Sequence, residues 1–268
     1  MASEITGITG SSGFLGHNLS SRYTESESLV KIQRLGKAFQ LPEVNPDVLF
    51  LTHGAVASGV DKLDEEALFW GNVKSTQEIC SAFPKSNIIF ASTASIFGFQ
   101  QKTICENSLN SPNNEYSISK LWAEQVVCKQ NQFSIIRFSS LYGNGMRENT
   151  IIPNYVNQAL NKGEIEVWGR GDRRQNYLHI QDAADLMLAA STKSYNKIFL
   201  GVGLLEYSNL ELAELVSQKT GAKIKFVHQD NSKSVSYDNH LTRDTLNWKP
   251  AISFEAGISQ YIEWKKGQ

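Results

Sequence analysis

The stretch Glu4-Ile5-Thr6-Gly7-Ile8-Thr9-Gly10-Ser11-Ser12-Gly13-Phe14-Leu15-Gly16 passes from a short β-prone run directly into a glycine-rich turn. A segment with helical spacing follows it toward Tyr23, so the unit reads as strand, turn, helix. Further apolar runs of strand length recur at 29–33, 48–52, 88–91 and 133–138, with intervals long enough for crossover helices. Such alternation predicts βαβ units and a doubly wound, parallel α/β sheet with helices on both faces. The interval 34–46 is too short for a helix plus a strand, and a loop or short turn is expected there. Beyond Tyr142-Gly143-Asn144-Gly145 the texture changes. An amphipathic stretch at 151–160, a Trp- and Arg-rich turn at 168–174 and a helical run at 210–219 read as a smaller mixed α/β lobe. The expected division is 1–145 for the sheet domain and 146–268 for the lobe, interleaved with the sheet.

The chain has 268 residues, enough for one large α/β unit or up to two domains. Its 26 Lys+Arg balance 27 Asp+Glu, for a net charge of −1. Nucleic acid and anionic membranes recruit proteins through an excess of basic residues, so neither is expected as a partner. No apolar run approaches the roughly 18 residues needed to span a bilayer. No basic segment followed by an apolar one marks secretion. Cys80, Cys105 and Cys128 are an odd set at wide spacing, which fits neither a disulfide framework nor paired metal ligands. A cytoplasmic location is the expectation. The histidines at 17, 53, 179, 228 and 240 include no pair at zinc-ligand spacing, and no metal is expected.

Three groups of residues carry chemistry. Gly10, Gly13 and Gly16 permit close backbone approach where a helix begins, an arrangement suited to holding a pyrophosphate. Tyr116 and Lys120, in Tyr116-Ser117-Ile118-Ser119-Lys120, fall on one face if the segment is helical. An ammonium beside a phenol favours the ionised phenol and brings it toward the range of general acid/base work. Ile88-Ile89-Phe90-Ala91-Ser92-Thr93-Ala94-Ser95 reads as a buried strand ending in hydroxyls. Ligands of open α/β sheets bind beyond the carboxyl ends of strands, where those hydroxyls can meet a substrate oxygen.

Taken together, Gly10-x-x-Gly13-x-x-Gly16, Ser92-Thr93, Tyr116-x-x-x-Lys120, Asn72 and Tyr142-Gly143 resemble the extended short-chain dehydrogenase/reductases, the NAD-dependent epimerase/dehydratase group that acts on nucleotide sugars. The resemblance runs from about residue 5 to about 190. It implies a Rossmann sheet with a C-terminal substrate lobe, and it implies Tyr116 as the acid/base. Lys120 would lower the Tyr116 pKa and hold the nicotinamide ribose. Thr93, with Ser92 as the alternative, would hydrogen-bond the sugar oxygen. The implied cofactor cradle comprises Gly10, Ser12, Gly13, Phe14, Leu15, Gly16, Arg34, His53, Gly54, Ala55, Asn72, Ala91 and Ser139, together with Tyr116 and Lys120. His53 stands where an apolar residue is more usual and receives no catalytic role. Ser140, Arg147 and Arg174 would face the nucleotide sugar. The segment from Gly169 to Asp182 resembles the family's pyrophosphate clamp, with Gln175-Asn176 in place of the usual Arg-Asp, so Arg174 takes the phosphate and Arg170 is the reserve. Trp168 is left open between stacking on the base and a place in the core. A homodimer is expected by analogy, with the Tyr116 helix as a contributor.

Nicotinamide dinucleotides are told apart at the end of the second strand, where a carboxylate accepts from a ribose 2′-hydroxyl and a cation accommodates a 2′-phosphate. Here the residues are Lys31-Ile32-Gln33-Arg34, with no acid and with Lys37 close behind. NADP(H) is therefore favoured over NAD(H). Ser139-Ser140 stands where the family's epimerases often place Asn, and the clipped region after Arg34 resembles the 4-ketoreductases of deoxysugar synthesis. The leading expectation is NADPH-dependent reduction of a nucleotide-activated 4-keto-6-deoxyhexose. A nucleotide-sugar 4-epimerase with tightly held NAD is the alternative.

Overall fold

The computed structural model describes residues 4–23, 28–56, 64–100 and 102–268. β1 (Thr6–Thr9) leads through the glycine turn into α1 (Phe14–Ser20), and β2 (Leu29–Ile32) follows. A small hairpin of β3 (Arg34–Leu35) and β4 (Ala38–Phe39) precedes β5 (Val48–Leu51). α2 (Glu65–Leu68) runs without a break into a π-helical turn (Phe69–Lys74) and α3 (Ser75–Ala82). β6 (Asn87–Thr93) ends in a 3-10 turn (Ala94–Phe97), and α4 (Glu115–Val127), β7 (Phe133–Phe138) and β8 (Ser140–Tyr142) come next. The remainder comprises α5 (Ile151–Lys162), β9 (Glu164–Trp168), β10 (Arg174–His179), α6 (Ile180–Ser191), β11 (Lys197–Gly201), β12 (Glu206–Ser208), α7 (Asn209–Thr220), β13 (Lys223–Val227), α8 (His240–Leu246) and α9 (Phe254–Lys266).

Six strands form one parallel sheet in the order β11-β7-β6-β5-β1-β2. The inner strand β5 and the Ile88-Ile89-Phe90-Ala91 part of β6 are apolar without alternation because both faces are covered. Ile8, Phe50, Ile89 and Ile136 pack toward α6 residues such as Ala183 and Met187, while Leu49, Leu51, Phe90 and Ile135 pack toward Ile79, Ala123 and Val127 of α3 and α4. Phe50 and Phe90 have no exposed surface. Burying each contributes roughly 1.5–3 kcal/mol. A separate core of Tyr142, Val156, Ile165, Val167, Leu212, Ile258 and Tyr261 holds the later elements together.

Two local outcomes differ from the sequence expectation. The interval after Arg34, expected as a loop or short turn, adds a two-residue strand on either side of its turn, with Arg34 opposite Phe39 and Leu35 opposite Ala38. The outer strand β11 comes from the second half of the chain and pairs Phe199 with Ile136. Five residues, Lys197-Ile198-Phe199-Leu200-Gly201, give too short a pattern to stand out from the loop before them.

β1 lies between β2 and β5, so the chain leaves it in one direction and returns on the other side. That reversal opens a crevice at the carboxyl ends of β1 and β5, the place where doubly wound sheets bind ligands. Among the described residues, no helix is long and apolar enough to cross a membrane.

Candidate active site

A cavity of about 780 Å³ lies beyond the carboxyl ends of β1, β5, β6 and β7. Gly13, Phe14, Leu15, His53, Gly54, Ala55, Asn72, Ala91, Tyr116, Lys120 and Ser139 line it, as do Ser92, Thr93, Ser140, Arg147 and Arg174. Gly10, Ser12, Gly16 and Arg34 do not. Gly10 has φ +70°, and a Cβ there would stand 2.7 Å from the His53 nitrogen. A Cβ on Gly16 would run into the Gly10 carbonyl oxygen. These two glycines therefore let the β1–α1 turn close against the backbone after β5, while Gly13 faces the cavity. Such a cradle fits the pyrophosphate of a dinucleotide.

His53 is a strut in this cradle. Its Nδ1 lies 2.7 Å from Thr9 Oγ1 and its Nε2 3.4 Å from Thr76 Oγ1. Burial, with the positive charges of Lys120 and Arg34 nearby, pulls its pKa down to about 3, so the ring is neutral. The side-chain amide of Asn72 is spent within the protein. Its Oδ1 accepts from Ala55 N at 2.8 Å, and its Nδ2 donates to Ala55 O at 3.1 Å and to Ser119 Oγ at 2.9 Å. Ser119 Oγ donates in turn to the Tyr116 carbonyl at 2.8 Å. Asn72 thus ties the loop after β5 to the helix that carries Tyr116.

That helix begins where it does because Asn114 caps it, its Oδ1 accepting from Ser117 N at 2.8 Å. The start fixes Tyr116 in the first turn and Lys120 one turn later. Lys120 Nζ donates to the Ala91 carbonyl at 2.7 Å and stands 4.0 Å from the centre of the Phe90 ring. Burial lowers its pKa to about 7, against the opposing pull of Glu124. Burial also pushes the Tyr116 phenol up to about 12, with Thr93 and Arg147 acting in the other direction. Desolvation outweighs the groups that favour ionisation, so the net direction for this phenol is upward and it keeps its proton in the neutral range.

The two hydroxyls at the end of β6 separate. Ser92 Oγ donates to the buried Glu124 carboxylate at 2.6 Å, whereas Thr93 Oγ1 lies 3.0 Å from Ser95 Oγ and accepts from Ser95 N at 3.2 Å. The arginines also separate. Arg170 is 88% exposed, pairs with Asp172 at 3.3 Å and lies outside the cavity lining. Arg174 lines the cavity, but its guanidinium pairs with Glu211 at 3.2 Å and reaches the Glu206 carbonyl. Arg173, which the sequence reading passes over, also lines the cavity, and its Nε is buried without a hydrogen-bond partner. Neighbouring residues of an extended segment point opposite ways, and that alternation is the signal that could have found it. Arg147 Nη1 donates to the Val56 carbonyl at 2.7 Å. Arg34 stands outside with Nη2 3.4 Å from the Trp70 carbonyl. Trp168 neither stacks in the cavity nor joins the core; it is exposed and meets His228 edge-on.

Among the described residues that line the cavity there is no Asp, Glu or Cys. Nor do the described residues contain a group of three or more His, Cys, Asp or Glu able to hold a metal ion.

The NAD dependent epimerase/dehydratase family matches residues 7–200. The chain is an enzyme of this family. A UDP-glucuronate 4-epimerase of Thermodesulfobacterium geofontis is 25% identical over 70% of this chain, which spans 62% of that relative. An uncharacterized UDP-glucose epimerase of Bacillus subtilis, YtcB, is 22% identical over 96% of both chains. The solved UDP-glucuronic acid 4-epimerase of Bacillus cereus in complex with NAD superposes with a TM-score of 0.82 over 98% of each chain, at 18% identity. That last likeness speaks for the fold.

Proposed function

We propose that this member of the family is an NADPH-dependent reductase of a nucleotide-activated 4-keto-6-deoxyhexose, with Tyr116 as the proton donor. The observation that carries the reading is a protonated phenol, Tyr116, set beside Thr93 and Lys120 in a cavity whose described lining holds no carboxylate or thiol. A bound nicotinamide supplies the hydride. Thr93 orients the ketone oxygen, Tyr116 gives it a proton, and Lys120 holds positive charge beside them. Removal of water from adjacent carbons needs a second group to take a proton from carbon, and Ala94 and Ser95, which follow Thr93, offer none. The same residues could serve a 4-epimerase with retained NAD, and the curated relatives named as epimerases favour that second reading.

The end of β2 supports the first reading. It offers Gln33 and an exposed Arg34, with no carboxylate to accept from a ribose 2′-hydroxyl. Fluorescence titration of the cofactor-stripped protein is expected to give at least tenfold tighter binding of NADPH than of NADH, about 1.4 kcal/mol, and Arg34→Ala should erase the difference. Preference for NADH, or NAD that cannot be stripped without unfolding, moves the assignment to the epimerase.

The same helix offers a surface for a second copy of the chain. Ile118 and Trp122 are each 52% exposed on α4, and the Trp122 and Phe69 rings lie 5.6 Å apart. A contiguous apolar face of this kind suits a two-fold interface. Light scattering should find a dimer in the unmodified protein and a monomer in Trp122→Glu; a monomeric unmodified protein at micromolar concentration refutes the dimer.

A further inference from the structure

Glu124 lies one helical turn beyond Lys120, fully buried. Its Oε1 accepts from Ser92 Oγ at 2.6 Å and from Arg137 Nε at 3.0 Å, and its Oε2 accepts from Arg137 Nη2 at 2.7 Å. Arg137 stands across from Ser92 in the β6–β7 register, donates through Nη1 to Asn110 Oδ1 at 2.8 Å, and lies 4.6 Å from the centre of the Phe97 ring. Stability gives little reason for such a pair. Desolvation offsets most of the Coulomb gain, and well-packed apolar residues of similar volume commonly do as well.

What the pair touches is more telling. Ser92 immediately precedes Thr93. Asn110 belongs to the segment that ends in Asn114, the cap of the Tyr116 helix. Successive side chains of a strand point to opposite faces, so holding Ser92 against α4 turns Thr93 to the other side. A carboxylate one turn from an ammonium also favours its charged form. We propose that Glu124 is a positioning residue for the reaction assigned above: it holds Ser92 against α4 so that Thr93 meets the substrate oxygen, and it keeps Lys120 cationic. The inference rests on that reading of the site.

The titratable and charged groups whose fields reach Lys120 are Glu124 on its own helix and neutral His53 after β5, with Arg137 on β7 paired to Glu124 and Arg147 acting on Tyr116 one turn before. Loss of the Glu124 charge therefore lowers the Lys120 pKa, and the ammonium is lost at lower pH. The test records kcat against pH, NADPH binding by fluorescence over the same range, and Tm. It uses the full chain and its Ser92→Ala, Glu124→Gln and Glu124→Asp variants. Ser92→Ala should lower kcat about tenfold with the KM for NADPH within twofold and the alkaline limb in place. Glu124→Gln should lower kcat by at least as much and move that limb down by about one pH unit, while Glu124→Asp keeps the limb where it was. If Glu124→Gln does not fold, Ser92→Ala decides: full activity there overturns the inference. A Glu124→Gln limb that stays in place while Tm falls also overturns it, since that is the behaviour of a purely structural pair. The NADPH-binding limb needs no turnover, so failure of the assigned reaction and failure of this inference are separately visible.

Discussion

Tyr116→Phe is expected to lower kcat by about 10³-fold while NADPH binds within threefold of the unmodified affinity. The substitution removes one hydroxyl from a buried ring and leaves the ring's packing in place. Only the proton-bearing atom is lost. Burial holds this phenol at about 12, so it carries its proton throughout the neutral range. That state suits a proton donor to a ketone oxygen, the role required in the reductive direction. Initial rates with a panel of 4-keto nucleotide sugars, beside a fluorescence titration, check the prediction. A fully active Tyr116→Phe enzyme removes Tyr116 from its role.

What the sequence reveals of this site is the part written in local spacing. The glycines after β1 are legible because a tight turn needs them at fixed intervals. Tyr116 and Lys120 are legible because four residues make one helical turn. The sheet is legible because its inner strands, β5 and β6 above all, carry apolar runs covered on both faces, and the strand missed is β11, whose five residues follow a polar loop. The rest depends on partners distant in the chain. That Asn72 spends its amide on Ala55 and Ser119 cannot be read from its neighbours. That the Ser92 hydroxyl is spent on Glu124, while the Thr93 hydroxyl stays beside Tyr116, requires the β6–β7 register and the face that α4 presents. The phenol's raised pKa likewise reflects enclosure by residues from several elements, where the sequence offers only the nearby Lys120.

The arginines bring the same distinction to a measurement. Sequence resemblance selects Arg174 for the substrate diphosphate, but Glu211 from α7 already neutralises that guanidinium. Arg173 reaches the cavity with a buried, unpartnered Nε. A hydrogen bond to a charged group is worth about 1.5–3 kcal/mol, so Arg173→Ala should raise the KM for the nucleotide sugar by roughly 10- to 100-fold. If the diphosphate is gripped equally in ground and transition states, kcat stays within a few fold. Arg174→Ala should change KM less than threefold, because the side chain it removes is bound to the protein. Arg173→Lys should recover only part of the affinity, since an ammonium restores charge but not the planar fork that matches phosphate. Unfolding is a poor alternative explanation for a weakened Arg173→Ala: the substitution removes a buried donor that has no partner, and thermal unfolding should show little loss. If Arg174→Ala carries the KM increase and Arg173→Ala does not, the diphosphate lies on the outer side of β10 and the Arg174–Glu211 pair must open to receive it.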